Sequence, residues 1–400
     1  MTSPNVIREI SRMPEIRRLP LRFRLFILRS FVGFRRTNTI RMKDGKAVLS
    51  AYLPMYPSRA FTRFVESQVR ASKGEVGVEI ANIAVTHRCK HDCWHCISPP
   101  KEDGEDLDFE TIARTISDLE DLGVYSFLFT GGDPLMREDI TELVPCVDDR
   151  AVVNVSTPGY MLSQGMAKRL KNGGLQAVFI GLDHCDEDTN DAMRGYDQAY
   201  AESLEAMGHA RDAGLLVALS TVASKERIES GEIFRFLDFA RDHEVDDIAI
   251  FEPIPVGKIF GEEEHLLLDA QRNKIKGIHT YANKKENYPR VIAGPYMDSQ
   301  DFMGCTAGFN RLHVDADGNV YPCDVLPFSY GNIKDESIKD IWKRMHRDFL
   351  RPRSSCLMLD NYRTMAGIAE RPIDSARCRD ICGDAREGTV PMFYKRLGVK

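Results

Sequence analysis

The middle of the chain alternates short apolar runs with longer amphipathic segments. The runs have the length of buried strands and lie at residues 78–85, 125–130, 152–156, 177–182, 216–222 and 248–251. Helical spacing of apolar residues follows between them, at residues 108–122, 138–147, 163–172, 199–213 and 231–243, and again at 267–287. Six strand–helix units predict an α/β fold with a parallel sheet. Because a closed barrel needs eight units, we expect a partial (β/α)6 TIM-like barrel, with its site at the carboxyl ends of the strands.

Different patterns precede and follow this core, which we place at residues 76–293. Residues 1–75 predict a basic segment, a hairpin that turns at Asp44-Gly45, and a helix over 58–71. After Gly294 cysteines become frequent, apolar runs at 311–314 and 320–322 flank a turn, and residues 337–349 have a helical pattern. We therefore expect a small α+β domain over residues 294–385, followed by a tail over 386–400.

The first 36 residues carry nine arginines interleaved with Ile, Leu and Phe, and only Glu9 and Glu15 balance them. Pro14 and Pro20 interrupt the segment, so a helix is expected only over residues 21–32. One interpretation is a helix that packs its apolar residues on the domain behind it. The other is a helix that lies on an anionic membrane surface.

Composition narrows the classes of function. The chain has 43% hydrophobic and 28% charged residues, as ordinary globular proteins do, and its net charge of −6 gives no reason to expect a nucleic-acid partner. No run approaches the roughly 20 apolar residues of a membrane span. Ten cysteines without a secretory signal fit a reducing compartment, where clustered thiols often bind metal. We expect a cytoplasmic protein, with peripheral membrane contact as an alternative.

Three cysteines follow the first predicted strand. Cys89, Cys93 and Cys96 have the spacing C-x3-C-x2-C, which brings three thiolates to one side of a tight loop. Iron–sulfur clusters usually take four cysteines, so three would leave one iron open to a small molecule. The alternatives are a zinc site completed by His87, His91 or His95, and unrelated buried cysteines.

This loop resembles the signature of the radical SAM superfamily. The resemblance implies a [4Fe–4S] cluster whose open iron is chelated by S-adenosylmethionine, and reductive cleavage to a 5′-deoxyadenosyl radical that abstracts hydrogen from a substrate. His95 stands where the family usually has an aromatic residue packed on the adenine. The resemblance also implies that the protein places the substrate and excludes water while the cofactor performs the chemistry.

Three further segments at predicted strand ends are similar to motifs of the same superfamily. Gly131-Gly132-Asp133-Pro134 resembles the Gly-Gly-Glu-Pro motif that holds the amino group of S-adenosylmethionine. Ser156 resembles the hydroxyl-bearing ribose contact. Asp183 and Arg194 resemble a Ser-Leu-Asp-Gly … Asp-x-x-Arg-Gly stretch, with Gly181 in place of Ser. The resemblance makes Asp183 a ribose or substrate contact and leaves Arg194 either a carboxylate-binding residue or a surface ion pair.

The C-terminal part carries a second group of cysteines. Cys305 and Cys323 have the spacing C-x12-G-x4-C, Cys378 and Cys382 follow, and Cys356 lies between the two pairs. The stretch resembles the SPASM and shortened "twitch" domains that follow some radical SAM barrels. Five cysteines suit one auxiliary [4Fe–4S] cluster, for which we expect Cys305, Cys323, Cys378 and Cys382, with Cys356 undecided. A zinc ribbon and structural thiols remain alternatives.

The sequence therefore predicts a radical SAM enzyme that modifies a small molecule, a cofactor precursor or a lipid-linked compound. An electron donor such as flavodoxin or ferredoxin is the expected partner. The alternatives are a maturase that modifies a peptide or protein, and a non-catalytic iron–sulfur protein that binds or senses redox state. The substrate is not identifiable from the residues.

Overall fold

The computed structural model describes residues 9–22, 24–25, 41–101, 104–285, 287–368, 372–383 and 389–399. At the N-terminus a short helix, α1 (Pro14–Arg18), precedes the predicted hairpin of β1 (Arg41–Lys43) and β2 (Lys46–Val48). The hairpin turn is confirmed, and both of its central residues have a positive φ (50° at Asp44 and 74° at Gly45), as a tight hairpin requires. The helix predicted over 58–71 is α2 (Arg59–Ser72), whose first turn is capped by the Ser58 hydroxyl.

The N-terminal segment packs on the domain behind it wherever it is described. Ile10, Ile16 and Leu19 are buried and belong to one apolar cluster with Phe61 of α2. This agrees with the first of the two interpretations for residues 9–19. Most of the helix predicted over residues 21–32 lies outside the described residues.

The core of the fold is a single large sheet. Its strands are β3 (Ile80–Ala84), β4 (Ser126–Thr130), β5 (Val152–Thr157), β6 (Leu175–Gly181), β7 (Leu216–Val222), β8 (Asp247–Phe251), β9 (Arg290–Ala293), β10 (Arg311–Val314) and β11 (Val320–Tyr321). The spatial order is β11-β10-β3-β4-β5-β6-β7-β8-β9, and all neighbours are parallel except β10 and β11. The sheet is an open, partial barrel, as predicted.

The sheet extends beyond the six predicted strands. Those six are β3 to β8, each within two residues of its expected bounds. The strand β9 was missed because it has only four residues and directly follows a helical pattern. The strand β10, expected in a separate small domain, pairs in parallel with β3, with Arg311 opposite Ile80. The C-terminal cysteine region is therefore joined to the barrel by a shared sheet.

Helices cover the outer face of this sheet. They are α3 (Phe109–Leu122), α4 (Ile140–Leu143), α5 (Gln164–Asn172), α6 (Glu187–Arg194), α7 (Ala199–Asp212), α8 (Lys225–Glu229), α9 (Glu232–Asp242) and α10 (Asp269–Ala282). Successive side chains along a strand point to opposite faces of the sheet, one toward the helices and the other toward the barrel interior. On β4, Phe127 and Phe129 pack with Ile112 and Ile116 of α3, while Leu128 points into the barrel.

The C-terminal region is built from short elements. They are α11 (Gly294–Met297), β12 (Phe328–Ser329), α12 (Ile338–His346), α13 (Leu357–Ala366), β13 (Ile373–Asp374), α14 (Cys378–Cys382) and α15 (Met392–Leu397). The strand β12 pairs in parallel with β13, which brings the two ends of this region together. Within the described residues, no helix is both long and apolar enough to cross a membrane.

One buried carboxyl at the base of the barrel gives a pH-dependent prediction. Burial raises the pKa of Glu79 to about 7, although it accepts a hydrogen bond from Asn310 (3.0 Å). Since the folded pKa exceeds the unfolded value, stability should fall as the pH rises from about 4.5 to about 7. We expect Glu79→Gln to be more stable than the wild type at pH 8, by on the order of 1–3 kcal/mol, and equally stable at pH 4.5. Thermal unfolding at both pH values measures this, and an equal gain at both would contradict the assignment.

Candidate active site

A cavity of about 1560 Å³ fills the interior of the barrel. Typical ligand pockets have roughly 300–1,000 Å³, so this one has room for more than one small molecule. Both groups of cysteines reach it. Its wall includes Cys89, Cys93 and Cys96 at the carboxyl ends of the strands, and Cys305, Cys323 and Cys356 on one side. The structure thus joins two motifs that lie about two hundred residues apart in sequence.

Neighbouring loops hold the first cysteine loop in place through its backbone. The amide of Asp92 donates to the carbonyl of Arg194 (3.0 Å), and the amide of Lys258 donates to the carbonyl of Cys96 (2.9 Å). Glycine is required at two of these contacts. A Cβ on Gly195 would lie 2.7 Å from the Asp92 carbonyl oxygen, and one on Gly257 would lie 2.1 Å from that of Cys96. Both glycines also have a positive φ, so larger residues would be strained there as well.

The three thiols suit a cluster better than a single ion. A tetrahedral zinc with Zn–S bonds of about 2.3 Å holds its thiolates about 3.8 Å apart. The three sulfur atoms do not all lie within 4.8 Å of one another. Within the described chain, only two groups of three candidate ligand atoms lie that close together, and neither includes these cysteines. Burial raises the pKa of Cys89 to about 12 and also raises the pKa of Cys93 and Cys96. These thiols would therefore ionise only when a metal centre compensates for burial.

Two of the histidines considered as zinc ligands are engaged elsewhere. The His87 ring contacts Asp317 through Nε2 (3.1 Å), and the His95 ring contacts Asp183 through Nε2 (2.8 Å). The ring of His91 is buried against Tyr196, with 4.9 Å between ring centres. The contacts of His87 and His95 weaken the zinc alternative, whereas both ring nitrogens of His91 have no hydrogen-bond partner among the described atoms.

The Gly131-Gly132-Asp133-Pro134 segment lies against the strand end that leads into the cysteine loop. The amide of Gly132 donates to Thr86 (2.9 Å), and that of Asp133 donates to Arg88 (2.6 Å). A Cβ on Gly131 or Gly132 would lie 2.3 Å or 2.2 Å from the facing carbonyl oxygens. Only glycine permits this approach, which leaves both residues on the cavity wall.

Asp133 supports this segment from behind. Its Oδ1 accepts from the Thr157 hydroxyl (2.8 Å) and from the amide of Leu135, where Pro134 begins a short turn. Burial raises the pKa of Asp133 to about 6. Its Oδ2 is buried and has no partner among the described atoms, so this carboxyl retains an unused acceptor beside the cavity. Thr157 lines the cavity next to Ser156.

Asp183, Arg194 and His95 form a buried network behind the cysteine loop. The Asp183 carboxylate is fully buried and contacts Arg194 Nε (2.7 Å) and His95 Nε2 (2.8 Å). Its other oxygen accepts from the amide of Val222 at 2.9 Å. Burial alone would favour the neutral acid, but Arg194 and His95 outweigh it and hold the pKa of Asp183 far below its usual range.

Arg194 connects this network to the cluster site. It is 7% exposed, and its Nη1 lies 3.9 Å from Cys93 Sγ. The same guanidinium packs over Gly181, where a Cβ would approach Nη1 to 2.5 Å. Gly181 therefore stands where the superfamily often has serine because this arginine occupies the space.

Two other residues of the network left no clear signal in the sequence. Asn190 is buried, and its Oδ1 accepts from the amide of Asp183 (2.9 Å). The Lys258 ammonium contacts the carbonyl and the carboxylate of Asp92 on the cysteine loop. The spacing of Asn190 from Asp183 is that of an ordinary helix start, so the sequence pattern does not reveal their hydrogen bond. Lys258 contacts Asp92 from another loop of the barrel, more than 160 residues away in the chain.

The C-terminal cysteines converge on one place. Cys305 exchanges both backbone hydrogen bonds with Arg353 (2.8 and 2.9 Å), which brings Cys356 beside Cys305. Cys323 and Cys356 line the same stretch of cavity as Cys305, whereas Cys378 and Cys382 stand at the two ends of α14. Burial raises the pKa of Cys323 to about 12 and the pKa of Cys356 well above its ordinary value. The structure therefore places Cys356 among the candidate ligands.

A third group has ligand-like spacing without the chemistry of a metal site. His184, Cys185 and Glu232 have donor atoms within 4.8 Å of one another. The Nδ1 of His184 accepts from the amide of Asp186 (3.0 Å), so the neutral ring carries its proton on Nε2, which faces Glu232. Glu232 also pairs with Arg227 (2.5 Å), and these contacts account for the group.

Comparisons with known proteins agree with this geometry. The family model described as the radical SAM superfamily matches residues 83–237, and that of the SPASM iron–sulfur cluster-binding domain matches residues 305–363. The AdoMet-dependent heme synthase of Nitratidesulfovibrio vulgaris is 26% identical over 288 residues, covering 65% of this chain and 77% of that protein. The PqqA peptide cyclase of Rhizobium meliloti is 25% identical over 272 residues, covering 64% and 72%.

A solved structure shows the same fold. Streptococcus suis SuiB bound to its precursor peptide SuiA superposes with a TM-score of 0.58 and 16% identity, over 70% of this chain and 69% of that one. The two matched family segments lie on the barrel and on the second cysteine group. The chain therefore belongs to the radical SAM superfamily, and is an enzyme that uses S-adenosylmethionine with a [4Fe–4S] cluster and carries a SPASM iron–sulfur domain behind its core.

Proposed function

We propose that Cys89, Cys93 and Cys96 hold the cluster that cleaves S-adenosylmethionine, and that the substrate is modified inside the barrel cavity. The observation that carries the proposal is the single cavity that both cysteine groups face. A cluster held by these three thiolates would supply the one electron for cleavage of S-adenosylmethionine to methionine and a 5′-deoxyadenosyl radical, which would take a hydrogen atom from the substrate. The protein's own part is to bind, orient and shield these groups.

Residues around the cysteine loop fit the parts of S-adenosylmethionine. The exposed backbone edge of Gly131 and Gly132 suits its amino group, and the Ser156 hydroxyl suits its ribose. His95 faces the cavity and is held by Asp183, so it can present its ring to the adenine. The oxygens of Asp183 accept from protein groups on three sides, and we assign this residue to positioning His95 and Arg194.

Anaerobic reconstitution tests the proposal. The reconstituted protein, reduced with dithionite and given S-adenosylmethionine, should form 5′-deoxyadenosine, which liquid chromatography measures. Protein with its full iron content and no detectable 5′-deoxyadenosine would refute the assignment of an open iron at this loop. The same assay distinguishes a catalytic enzyme from an iron–sulfur protein with only a structural or sensing role.

We further propose that the auxiliary cluster takes Cys305, Cys323 and Cys356, with its fourth ligand from the Cys378–Cys382 pair. We expect Cys356→Ser to lose about four of roughly eight iron atoms per chain, while substrate-free cleavage of S-adenosylmethionine persists. Iron analysis and the absorbance near 400 nm measure this, with Cys146→Ser as a matched control outside both groups. If Cys356→Ser keeps all of its iron, Cys356 is not a ligand, and the ligands are instead the four cysteines expected from the sequence: Cys305, Cys323, Cys378 and Cys382.

The protein takes a substrate and an external one-electron donor, as radical SAM enzymes do. We propose flavodoxin or ferredoxin for the donor. For the substrate we propose a small molecule, a cofactor precursor or a lipid-linked compound. The peptide alternative draws support from SuiB, whose solved structure holds a precursor peptide.

We also propose a peripheral membrane contact at the N-terminal segment. Leu21 and Leu25 are 63% and 43% exposed, and the arginines around them include the exposed Arg17, Arg18 and Arg22. Exposed apolar residues beside arginines suit an anionic lipid surface. Replacing both Leu21 and Leu25 by Asp should weaken binding to phosphatidylglycerol vesicles at least tenfold in co-sedimentation. Met161→Asp, at another exposed apolar position, should not, and equal binding by all three proteins would contradict the contact.

A further inference from the structure

The barrel is open along a seam between the two edges of its sheet. The strand order begins with β11 and β10 and ends with β9, so these strands stand on opposite sides of the seam. The chain that runs from β9 to β10, residues 294–310, carries α11 and then Cys305. Much of this connection lines the cavity, including Asp298 and Cys305. Side chains of the seam therefore face the space in which we place the substrate.

Asp298, the residue that follows α11, presents a carboxylate without a partner to the cavity. Its amide donates to the carbonyl of Gly294 (2.8 Å), which fixes the backbone at this point. The side chain is exposed to the cavity, and among the described residues it makes no hydrogen bond and no ion pair within 4.0 Å. Burial nevertheless raises the pKa of Asp298, so the carboxylate lies deep in the protein. A carboxylate this deep is stabilised when a cationic group binds it.

Arg311 presents the opposite charge to the same cavity and also has no partner. It is the first residue of β10, and its Nε is buried without a hydrogen-bond partner among the described atoms. No carboxylate oxygen of a described residue lies within 4.0 Å of its guanidinium. The carboxylate of Asp324 instead accepts from the Asn82 amide, at 2.9 Å on each oxygen. The guanidinium therefore keeps unused donors on the cavity wall.

Asp298 and Arg311 are electrostatic neighbours that do not touch. Among charged groups, Arg311 has the largest influence on the pKa of Asp298, and Asp298 has the largest influence on the pKa of Arg311. Their nearest oxygen and nitrogen atoms are nevertheless more than 4.0 Å apart. A ligand group that carries both charges fits such a gap, because its cationic part can donate to the carboxylate while its anionic part accepts from the guanidinium.

The other charged side chains inside the cavity already have partners. Three of them form ion pairs of 2.6–2.8 Å with residues behind the wall: Arg194 with Asp183, Arg290 with Asp247, and Glu252 with Arg272. Glu79 accepts from Asn310, and Asp301 lies 3.8 Å from Lys276. Within the described part of the wall, Asp298 and Arg311 are therefore the interior charges that remain to recognise a charged ligand.

We propose that the substrate carries an α-amino-acid group, with its ammonium on Asp298 and its carboxylate on Arg311. The turnover of this substrate rests on the proposed function, but its binding does not. The two charges of such a group are joined through one carbon atom, so they can bridge side chains that are close without touching. Binding also leaves no charge uncompensated in the cavity. The interior of a peptide fits less well because its amides carry no charge for either side chain.

Three ligands with one skeleton test the two charges separately. L-Phenylalanine carries both charges, phenethylamine lacks the carboxylate, and 3-phenylpropanoate lacks the ammonium. Isothermal titration calorimetry measures their binding to the reconstituted enzyme with saturating S-adenosylmethionine, which keeps the amino acid away from the open iron. We expect L-phenylalanine to bind roughly tenfold or more tightly than either analogue, because each analogue leaves one charged side chain without its partner.

Substitutions assign each charge to its residue. Asp298→Asn should bind L-phenylalanine no more tightly than 3-phenylpropanoate, and Arg311→Gln should bind it no more tightly than phenethylamine. Asp301→Asn and Lys284→Met are matched controls, since both residues line the cavity but are exposed, and both variants should keep the wild-type order. If Arg311→Gln loses its iron–sulfur absorbance, Arg311→Lys replaces it, and the preference for L-phenylalanine over phenethylamine should shrink.

Three results would overturn the proposal. One is a wild type that binds none of the ligands, and another is a wild type that binds one analogue as tightly as L-phenylalanine. The third is a pair of iron-loaded variants, at Asp298 and Arg311, that keep the wild-type order. An Arg311 variant with an altered cluster spectrum and the wild-type order of ligands would assign this arginine to the auxiliary cluster instead.

Failure of this proposal is separable from failure of the proposed function. Substrate-free formation of 5′-deoxyadenosine reports the cluster and S-adenosylmethionine sites alone. Normal cleavage without a preference for L-phenylalanine would reject the amino-acid site and leave the radical enzyme intact. The expected order of ligands without any cleavage would reject the cluster assignment and leave the seam as an amino-acid site.

Discussion

Replacing Cys93 by alanine is expected to reduce 5′-deoxyadenosine formation to background. Cys93 is the middle ligand of the loop and the one whose sulfur lies beside the Arg194 guanidinium, at 3.9 Å. Two thiolates cannot hold the cluster in an orientation that leaves one iron open inside the cavity, so the loss should be complete rather than partial. The auxiliary cysteines lie on different elements, and about half of the iron should remain.

The measurement is 5′-deoxyadenosine per iron, together with the electron paramagnetic resonance spectrum of the reduced protein. Cys185→Ala is a suitable control because this cysteine is also half-buried near a strand end but lies in the hydrogen-bonded group around Glu232. Retention of S-adenosylmethionine cleavage in Cys93→Ala would contradict the three-cysteine assignment. Loss of all iron would instead indicate that the two cysteine groups fold as one unit.

Replacing Asp183 by alanine is expected to have the second large effect, on stability as well as on activity. The substitution leaves the Arg194 guanidinium buried with its charge uncompensated, which typically costs about 3–5 kcal/mol. It also releases His95 and the amide of Val222 from the same carboxylate. Because these groups lie on the cysteine loop and on the end of β7, the loop should lose its fixed position.

A second buried pair at the opposite end of the barrel provides the control. Asp247 is fully buried and accepts from Arg290, from Ser50 and from the amide of Ala51. Asp247→Ala should lower the thermal midpoint comparably, while its folded fraction still cleaves S-adenosylmethionine. In Asp183→Ala the folded fraction should not. Combining Asp183→Ala with Arg194→Met should recover part of the stability and none of the cleavage, and recovery of cleavage would argue against a positioning role.

Local patterns in the sequence were sufficient for strands β3 to β8 and for the chemistry at each motif. The strands β3 to β8 are long apolar runs separated by amphipathic helices, so their period identifies them without tertiary information. The cysteine spacing and the glycine pair at 131 and 132 are likewise short-range features. Their physical requirement, close approach of one backbone to another, acts over a few residues and leaves its trace in the residue types.

Contacts between distant segments depended on the tertiary structure. Four-residue β9 carries too little pattern to be recognised alone, and β10 has a partner, β3, more than two hundred residues earlier. Cys356 reached the auxiliary site through the pairing of Cys305 with Arg353, which spacing does not encode. The sequence left Arg194 as either a carboxylate-binding residue or a member of a surface ion pair. Its burial against Asp183 and Cys93 excludes the surface ion pair.

The sequence by itself determined the class of enzyme, because the cysteine loop and the strand-end motifs are local arrangements of ligating groups. Only the tertiary structure decided the size and polarity of the space beneath them. Part of its wall comes from residues 9–19, the loop after β2 and helix α2, which are separate segments of ordinary composition. The size and shape of a cavity depend on how separate elements pack against one another, and no single segment of the sequence determines them.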